Sequence, residues 1–202
     1  MKTKKVSRPR GRPRSFDVEK ALDRALDVFW RKGYEGASLS DLTRAMGINR
    51  PSLYAAFSDK ETLFRKALDR YVAGPAAYVL EALNEPTAHR VIERLLHGTA
   101  DSLVCPQNPR GCLMVQGALA CSDASESARQ ELILRREQGE TALRRRLQRA
   151  KAEGDLPANS HPADLARFIM TVLHGMSIHA AAGASRAELH RIAQTALHAC
   201  PK

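Results

Sequence analysis

Leu39-Ser40-Asp41-Leu42-Thr43-Arg44-Ala45-Met46, then Gly47-Ile48-Asn49, then Arg50-Pro51-Ser52-Leu53-Tyr54-Ala55-Ala56-Phe57 is the stretch that decides the fold. It holds two short helical patterns joined by a glycine-containing turn of about three residues, which is the make-up of a helix-turn-helix. Ser38 is the candidate N-cap of the first helix, with Asp41 three residues on in a capping-box arrangement. Gly47 stops that helix. Asn49 is a good N-cap for the second, and Pro51 is tolerated in a first turn, where its missing N–H costs nothing.

Upstream, Val18, Ala21, Leu22, Ala25, Leu26, Val28 and Phe29 recur at spacings of three and four. They predict a helix from near Phe16 that Gly33 ends. Downstream, Ser58-Asp59-Lys60-Glu61 reads as a second capping box with Ser58 as the cap. It opens a fourth helix with the stripe Leu63, Phe64, Ala67, Leu68 and Tyr71, running towards Leu83 with an interruption at Gly74-Pro75. Eight of the ten aromatic residues lie at or before Tyr71, which marks a small unit with its own core. The reading divides the chain into an arm (1–15), a helix-turn-helix domain (16–70) and a larger helical domain (71–202).

Further helices are expected from about Pro86 to Val104, Gly111 to Ala120, Ser125 to Ala152, Pro162 to Ala182 and Arg186 to Ala199. The long third one carries Glu131/Arg135 and Glu140/Arg144 at salt-bridge spacing. Ala and Leu number 54 against 15 for Ile and Val, so the fold class is all-α.

The formal charge is +10, but +7 of it sits in the first 14 residues, which hold no acid. A basic arm on a nearly balanced body reads as a polyanion-binding appendage. Its core, Arg10-Gly11-Arg12-Pro13, resembles an AT-hook, with Arg10 and Arg12 inserted into a narrow A·T-rich minor groove. Non-specific attraction of the tail to phosphate is the other reading. The arm lacks the apolar stretch of a secretory signal, and no run of about 18 apolar residues exists to span a bilayer. The four cysteines make no C-x-x-C pair. A cytoplasmic protein with reduced thiols and no membrane partner is expected.

In a helix-turn-helix the first helix crosses the phosphate backbone and the second enters the major groove. Asn49, Arg50, Pro51 and Ser52, with Tyr54 behind them, are then the candidate base-facing residues. Arg50 suits a forked contact to guanine or a phosphate contact, Asn49 a contact or only a cap, and Pro51 a thymine methyl. Ser38 and Ser40, beside a positive helix end, and Lys60 are candidate phosphate contacts. The blander reading of residues 39–57, taken alone, is two core helices of a bundle.

Cys105, Cys112 and Cys121 cluster around Pro106-Gln107-Asn108-Pro109-Arg110-Gly111. Arg110 and the start of a helix at Cys112 favour a reactive thiolate, which makes Cys105 and Cys112 candidate effector-sensing residues. The alternative is that they are small buried hydrophobes. Seven histidines, including His97, His174 and His179, match no metal-ligand spacing and read as polar groups in helices or lining a pocket. No metal and no cofactor is expected. Arg144-Arg145-Arg146 reads as a solvated helix face. No phosphate-binding glycine loop, nucleophile elbow or zinc-protease motif is present, so an enzyme is not expected. A helical enzyme, or an architectural protein binding A·T-rich DNA without an effector, remain the competing classes.

The run from Gly33 to Leu42, then Met46-Gly47-Ile48, Ser52-Leu53-Tyr54-Ala55-Ala56-Phe57 and Lys60-Glu61-Thr62-Leu63-Phe64 resembles the signature of the TetR/AcrR family over residues 16 to 64. It departs at Ala55 and Ala56, where members often carry histidine or another large residue. The resemblance implies an all-helical homodimer joined through its last two helices, here 162–182 and 186–199. It implies an effector pocket in the C-terminal domain, and repression at a pseudo-palindromic operator in double-stranded DNA relieved by ligand. Gly111-Cys112-Leu113 resembles a motif of a subgroup in which some members respond to electrophiles or oxidants. The effector implied is a small molecule or an electrophile.

Overall fold

The computed structural model describes residues 16–119 and 125–201, and among them every regular element is a helix. Helix α1 (Val18–Gly36) is capped by Asp17, whose Oδ1 accepts from the amides of Glu19 and Lys20 at 3.0 and 3.2 Å. Gly33, at φ 69° and ψ 178°, breaks it before one further turn. α2 (Leu39–Met46) and α3 (Arg50–Phe57) follow. Gly47 joins them in the left-handed region (φ 68°, ψ 33°), which a residue with a Cβ adopts only at a cost. α4 spans Lys60–Ala73 and α5 spans Ala77–Ala82, so the Gly74-Pro75 step separates two helices.

The cap of α4 differs from the expectation. Ser58 closes α3 at φ 66°, and Asp59 caps α4, its Oδ1 accepting from the Thr62 amide at 2.6 Å. A carboxylate one residue later takes the orphan donor, and Ser58 is left to reverse the chain.

These helices close on an aromatic core. Phe29, Phe57 and Phe64 are buried, with the Phe29 and Phe64 rings edge-on at 5.0 Å and Trp30 edge-on to Tyr71 at 4.7 Å. Each such side chain contributes about 1.5–3 kcal/mol through removal from water.

The remaining helices are α6 (Ala88–Ser102), α7 (Leu113–Leu119), α8 (Glu126–Ala152), α9 (Pro162–Ala181) and α10 (Arg186–His198). α6 packs on α10 and α8 on α9, around a core of Ala and Leu with Val91, Ile92, Ile169 and Met176. Glu131 and Arg135 pair at 2.7 Å as expected. Glu140 instead meets Arg167 of α9 at 3.3 Å, because α9 lies across that face of α8. The arginine run is not a solvated face throughout. Arg146 is buried, and its Nη2 donates to the carbonyls of Glu85 and Pro86 at 2.8 and 3.0 Å.

The two cores meet at α7 and the first half of α8. Leu113, Ala128 and Leu132, from the second half of the chain, are fully buried in the aromatic core. Trp30 Nε1 donates to the Gly111 carbonyl at 3.1 Å across the same junction. Gly111 sits at φ 84°, and a Cβ there would overlap the Gln116 amide.

Candidate nucleic-acid interface and cavity

Ser38 and Asp41 form the capping box: the Asp41 amide donates to Ser38 Oγ at 3.0 Å and the Ser38 amide to Asp41 Oδ2 at 3.2 Å. Lys32 reaches the same carboxylate at 2.9 Å. Hydrogen bonds from Lys32, then from Ser38, hold the Asp41 carboxyl down at about 2. The start of α2 is thereby fixed against α1. Ser40, one residue in, is exposed and accepts from Arg50 Nη2 at 3.1 Å, which ties the outer ends of α2 and α3 together.

Asn49 caps α3, its Oδ1 accepting from the Ser52 amide at 2.8 Å. Arg50, Pro51, Tyr54 and Ala55 are exposed along α3, while Leu53 and Phe57 are buried beneath them. Lys60 lies over the Tyr34 ring, 4.4 Å from its centre, and burial lowers its pKa. Ser38, Ser40, Asn49, Arg50, Pro51 and Tyr54 are thus each exposed, Ser40 and Arg50 in contact, while Ser52 and Lys60 are half-buried. Arg44, exposed in the last turn of α2, adds a cation that the motif reading did not single out. Arg10, Arg12 and Cys121 lie outside the described residues.

Behind this surface a cavity of about 390 Å³ opens between α4 to α9. Most of its wall is apolar. The exceptions are Tyr71, Tyr78, Thr99, Cys112, Arg135, Arg136, Gln138 and His174. Cys112 stands at the N-terminal end of α7. Its amide donates to Ser177 Oγ at 2.8 Å, and its carbonyl accepts from the Gln116 amide at 3.0 Å. Its Sγ accepts from Tyr71 Oη at 3.2 Å. Burial, then the thiol beside it, pushes the Tyr71 phenol well above its ordinary value, so it is a standing donor. Cys112 therefore joins the cavity to the last helix of the aromatic unit.

The other sulfurs differ. Cys105, half-buried in the loop before α7, donates to Gln107 Oε1 at 2.8 Å and is not among the residues of the cavity wall. Cys200 is buried, and burial raises its thiol to about 11. Arg110 does not serve a thiol. Its Nε donates to the Ala180 carbonyl at 3.0 Å and its Nη2 to that of Ala184, which satisfies the end of α9. Of the histidines, His174 lines the cavity, and His97 and His190 meet through their Nδ1 atoms at 2.8 Å. No group of three metal-ligating side chains occurs among the described residues. No described helix is long and apolar enough to cross a membrane.

Ser177 and Arg136 were not singled out from the sequence, whereas His174, read there as a polar group in a helix or lining a pocket, does line the cavity. Tyr71 was read as core, and its contact with Cys112 spans 41 positions that no local pattern links.

Known proteins match both halves. Residues 21–67 match the family described as bacterial regulatory proteins, tetR family, and residues 88–196 match the tetracyclin repressor-like C-terminal domain. The HTH-type transcriptional repressor ComR of Escherichia coli K12 is 36% identical over 99% of this chain and 96% of its own length. The HTH-type transcriptional repressor BdcR of the same organism is 32% identical over 94% and 91%. Among solved structures, a cysteine-substituted CifR, a TetR family transcriptional regulator complexed with 26-bp double-strand operator DNA, superposes with a TM-score of 0.90. It is 43% identical, with 94% of this chain and 100% of that one covered. A TetR regulator from Rhodococcus sp. RHA1 is 42% identical at a TM-score of 0.63, covering 90% and 98%. With a helix-turn-helix at its head, a cavity in its helical body and matches that run nearly its full length, the chain belongs to the TetR family of bacterial DNA-binding transcriptional regulators.

Proposed function

We propose that this regulator is a cytoplasmic, homodimeric repressor that a thiol-reactive small molecule releases from a pseudo-palindromic operator, with Cys112 as the reacting residue. Residues 16–70 read DNA, and residues 71–202 hold the effector and the dimer contact. The observation that carries the reading is the Tyr71–Cys112 hydrogen bond, because a group added to Sγ enters the cavity and displaces a side chain of α4. α4 packs on α1 and α3, so a shift of Tyr71 reaches the recognition helix. Cys105, bonded to its own loop, has no such connection.

On the DNA side, Arg50 and Tyr54 face base edges, Pro51 and Ser52 pack beside them, and Asn49 acts mainly as a cap. Ser38, Ser40 and Lys60 hold phosphates, and the arm residues Arg10 and Arg12 follow the minor groove. Dimerisation through α9 and α10 is supported by large apolar side chains left exposed on α9, Phe168 at 40% and Ile178 at 52%. The repressor names of ComR and BdcR support repression over activation.

The test is titration of the DNA just upstream of the gene against scrambled DNA at fixed salt, with reductant and then with N-ethylmaleimide. Addition of the Cys112 S–H across the maleimide C=C should abolish specific binding. Cys112→Ser should keep binding in its presence, whereas Cys105→Ser should still be released. Release of Cys112→Ser as readily as the parent would remove the cysteine assignment. Equal affinity for scrambled DNA would favour an architectural role.

A further inference from the structure

We propose that the cavity takes an amphiphilic monoanion, an apolar chain or ring bearing one carboxylate or similar acid group, whose charge is held by Arg136. The inference rests on the reading of the cavity as the effector site and names the chemistry of its ligand.

Two arginines line the cavity, and their circumstances differ. Arg135 is neutralised twice, by Asp69 of α4 and by Glu131 of its own helix, each at 2.7 Å. Its charge belongs to the α4–α8 contact. Arg136, the next residue, donates from Nη1 to the Met114 carbonyl at 3.0 Å, and among the described residues no carboxylate pairs with it. The acid one turn further along α8, Glu140, is paired with Arg167 at 3.3 Å. A half-buried guanidinium against apolar surface is costly unless an anion meets it, and its planar fork matches a carboxylate.

The surroundings define the rest of the ligand. His174 enters the wall from α9. Burial, and then the Arg136 charge, hold its pKa below the ordinary value against the opposing pull of Glu140. It is uncharged at neutral pH and offers an N–H without a second cation. One unmet positive charge calls for one negative charge. Val79, Leu83, Leu95, Leu103, Met170 and Leu173 supply apolar wall for the ligand's body. A volume of about 390 Å³ lies near the small end of ligand cavities, which suits a short chain or a single ring system. The Met114 carbonyl that Arg136 now holds lies in α7, two residues past Cys112, so drawing the guanidinium onto an anion loosens the helix that connects body to head.

The experiment compares octanoate, octanol and octylamine as ligands of the full chain, read by thermal stabilisation. Octanoate should bind at least about tenfold more tightly than octanol, as expected for a charge-assisted contact, and octylamine more weakly than either. Arg136→Gln removes the charge and should erase the advantage of octanoate over octanol. Arg136→Lys should keep part of it. An unchanged helical circular-dichroism spectrum certifies that each variant is folded, and the three-ligand comparison on the parent needs no variant at all. Octanol or octylamine equalling octanoate, or an Arg136→Gln protein that still prefers octanoate, overturns the inference and leaves the cavity standing as an effector site. Failure of all three to stabilise the parent overturns it as well, and the maleimide release test then decides separately on the effector reading.

Discussion

Ser177→Ala isolates the hold that α9 has on the cysteine. Ser177 is fully buried, and its Oγ accepts the Cys112 amide at 2.8 Å. Cys112 stands at the start of α7, where no intrahelical bond serves its N–H. Alanine keeps the helix and nearly the volume, so the loss is one hydrogen bond with a donor left facing an apolar surface. Such a change costs about 1–2 kcal/mol, towards the lower figure where water in the cavity reaches the amide. Urea unfolding at fixed protein concentration, followed by the fluorescence of Trp30, the one tryptophan of the chain, measures it. With a slope of about 1–3 kcal/mol/M the midpoint should fall by roughly 0.5–1 M at unchanged slope. The probe is well placed, since Trp30 is bonded to Gly111, next to Cys112. A midpoint within about 0.1 M of the parent, less than the smallest useful loss on the same scale, would refute the view that Ser177 anchors α7.

Arg50→Ala should leave thermal stability within about 0.5 kcal/mol, because the side chain is exposed, yet weaken operator binding by about tenfold or more in a gel-shift titration. Gly111→Ala should destabilise by about 2 kcal/mol or more in the urea assay, since φ of 84° opposes any Cβ and the Gln116 amide must move as well. The folded carboxyl of Asp41 lies at about 2, below its usual 3.8, so the stability it contributes is present above about pH 4 and is lost as pH falls towards 2. Asp41→Asn should therefore flatten the acid limb of a pH–stability curve in that window, and an unchanged limb would count against the Lys32–Asp41–Ser38 arrangement.

Local signals carried the head of the molecule. Ser38 with Asp41, Gly47, and Asn49 before Pro51 are each bonds or backbone states within a few residues, and the structure has them where the spacing put them. The Ser58 cap failed because two good cap residues, Ser58 and Asp59, stand side by side, and only the positive φ of Ser58 decides between them. The cavity was legible only in outline. Cys112 stands out as a cysteine in a glycine- and proline-rich loop. Its partners Tyr71 and Ser177 come from helices 41 and 65 residues away, where a tyrosine on an apolar stripe and a serine in a helix look ordinary. Arg110 was misread for the same reason, since nearness in sequence to two thiols says nothing about the carbonyls of Ala180 and Ala184 that it serves. Arg146 looked solvated beside Arg144 and Arg145, because a charge run does not reveal which member faces a neighbouring loop.

The sharing of the aromatic core has a practical side for those who build chimaeras by exchanging reading heads between relatives. A graft joined within α4 would carry away the pocket into which Leu113, Ala128 and Leu132 insert and supply another shaped for different side chains. Each mismatched leucine in such a hybrid is equivalent to a large-to-small or overpacking change, about 1–5 kcal/mol apiece. A head transplanted together with Leu113, Ala128, Leu132 and the glycine that receives Trp30 should fold as the parent does, and should respond to the host's ligand because the joint itself has travelled with it.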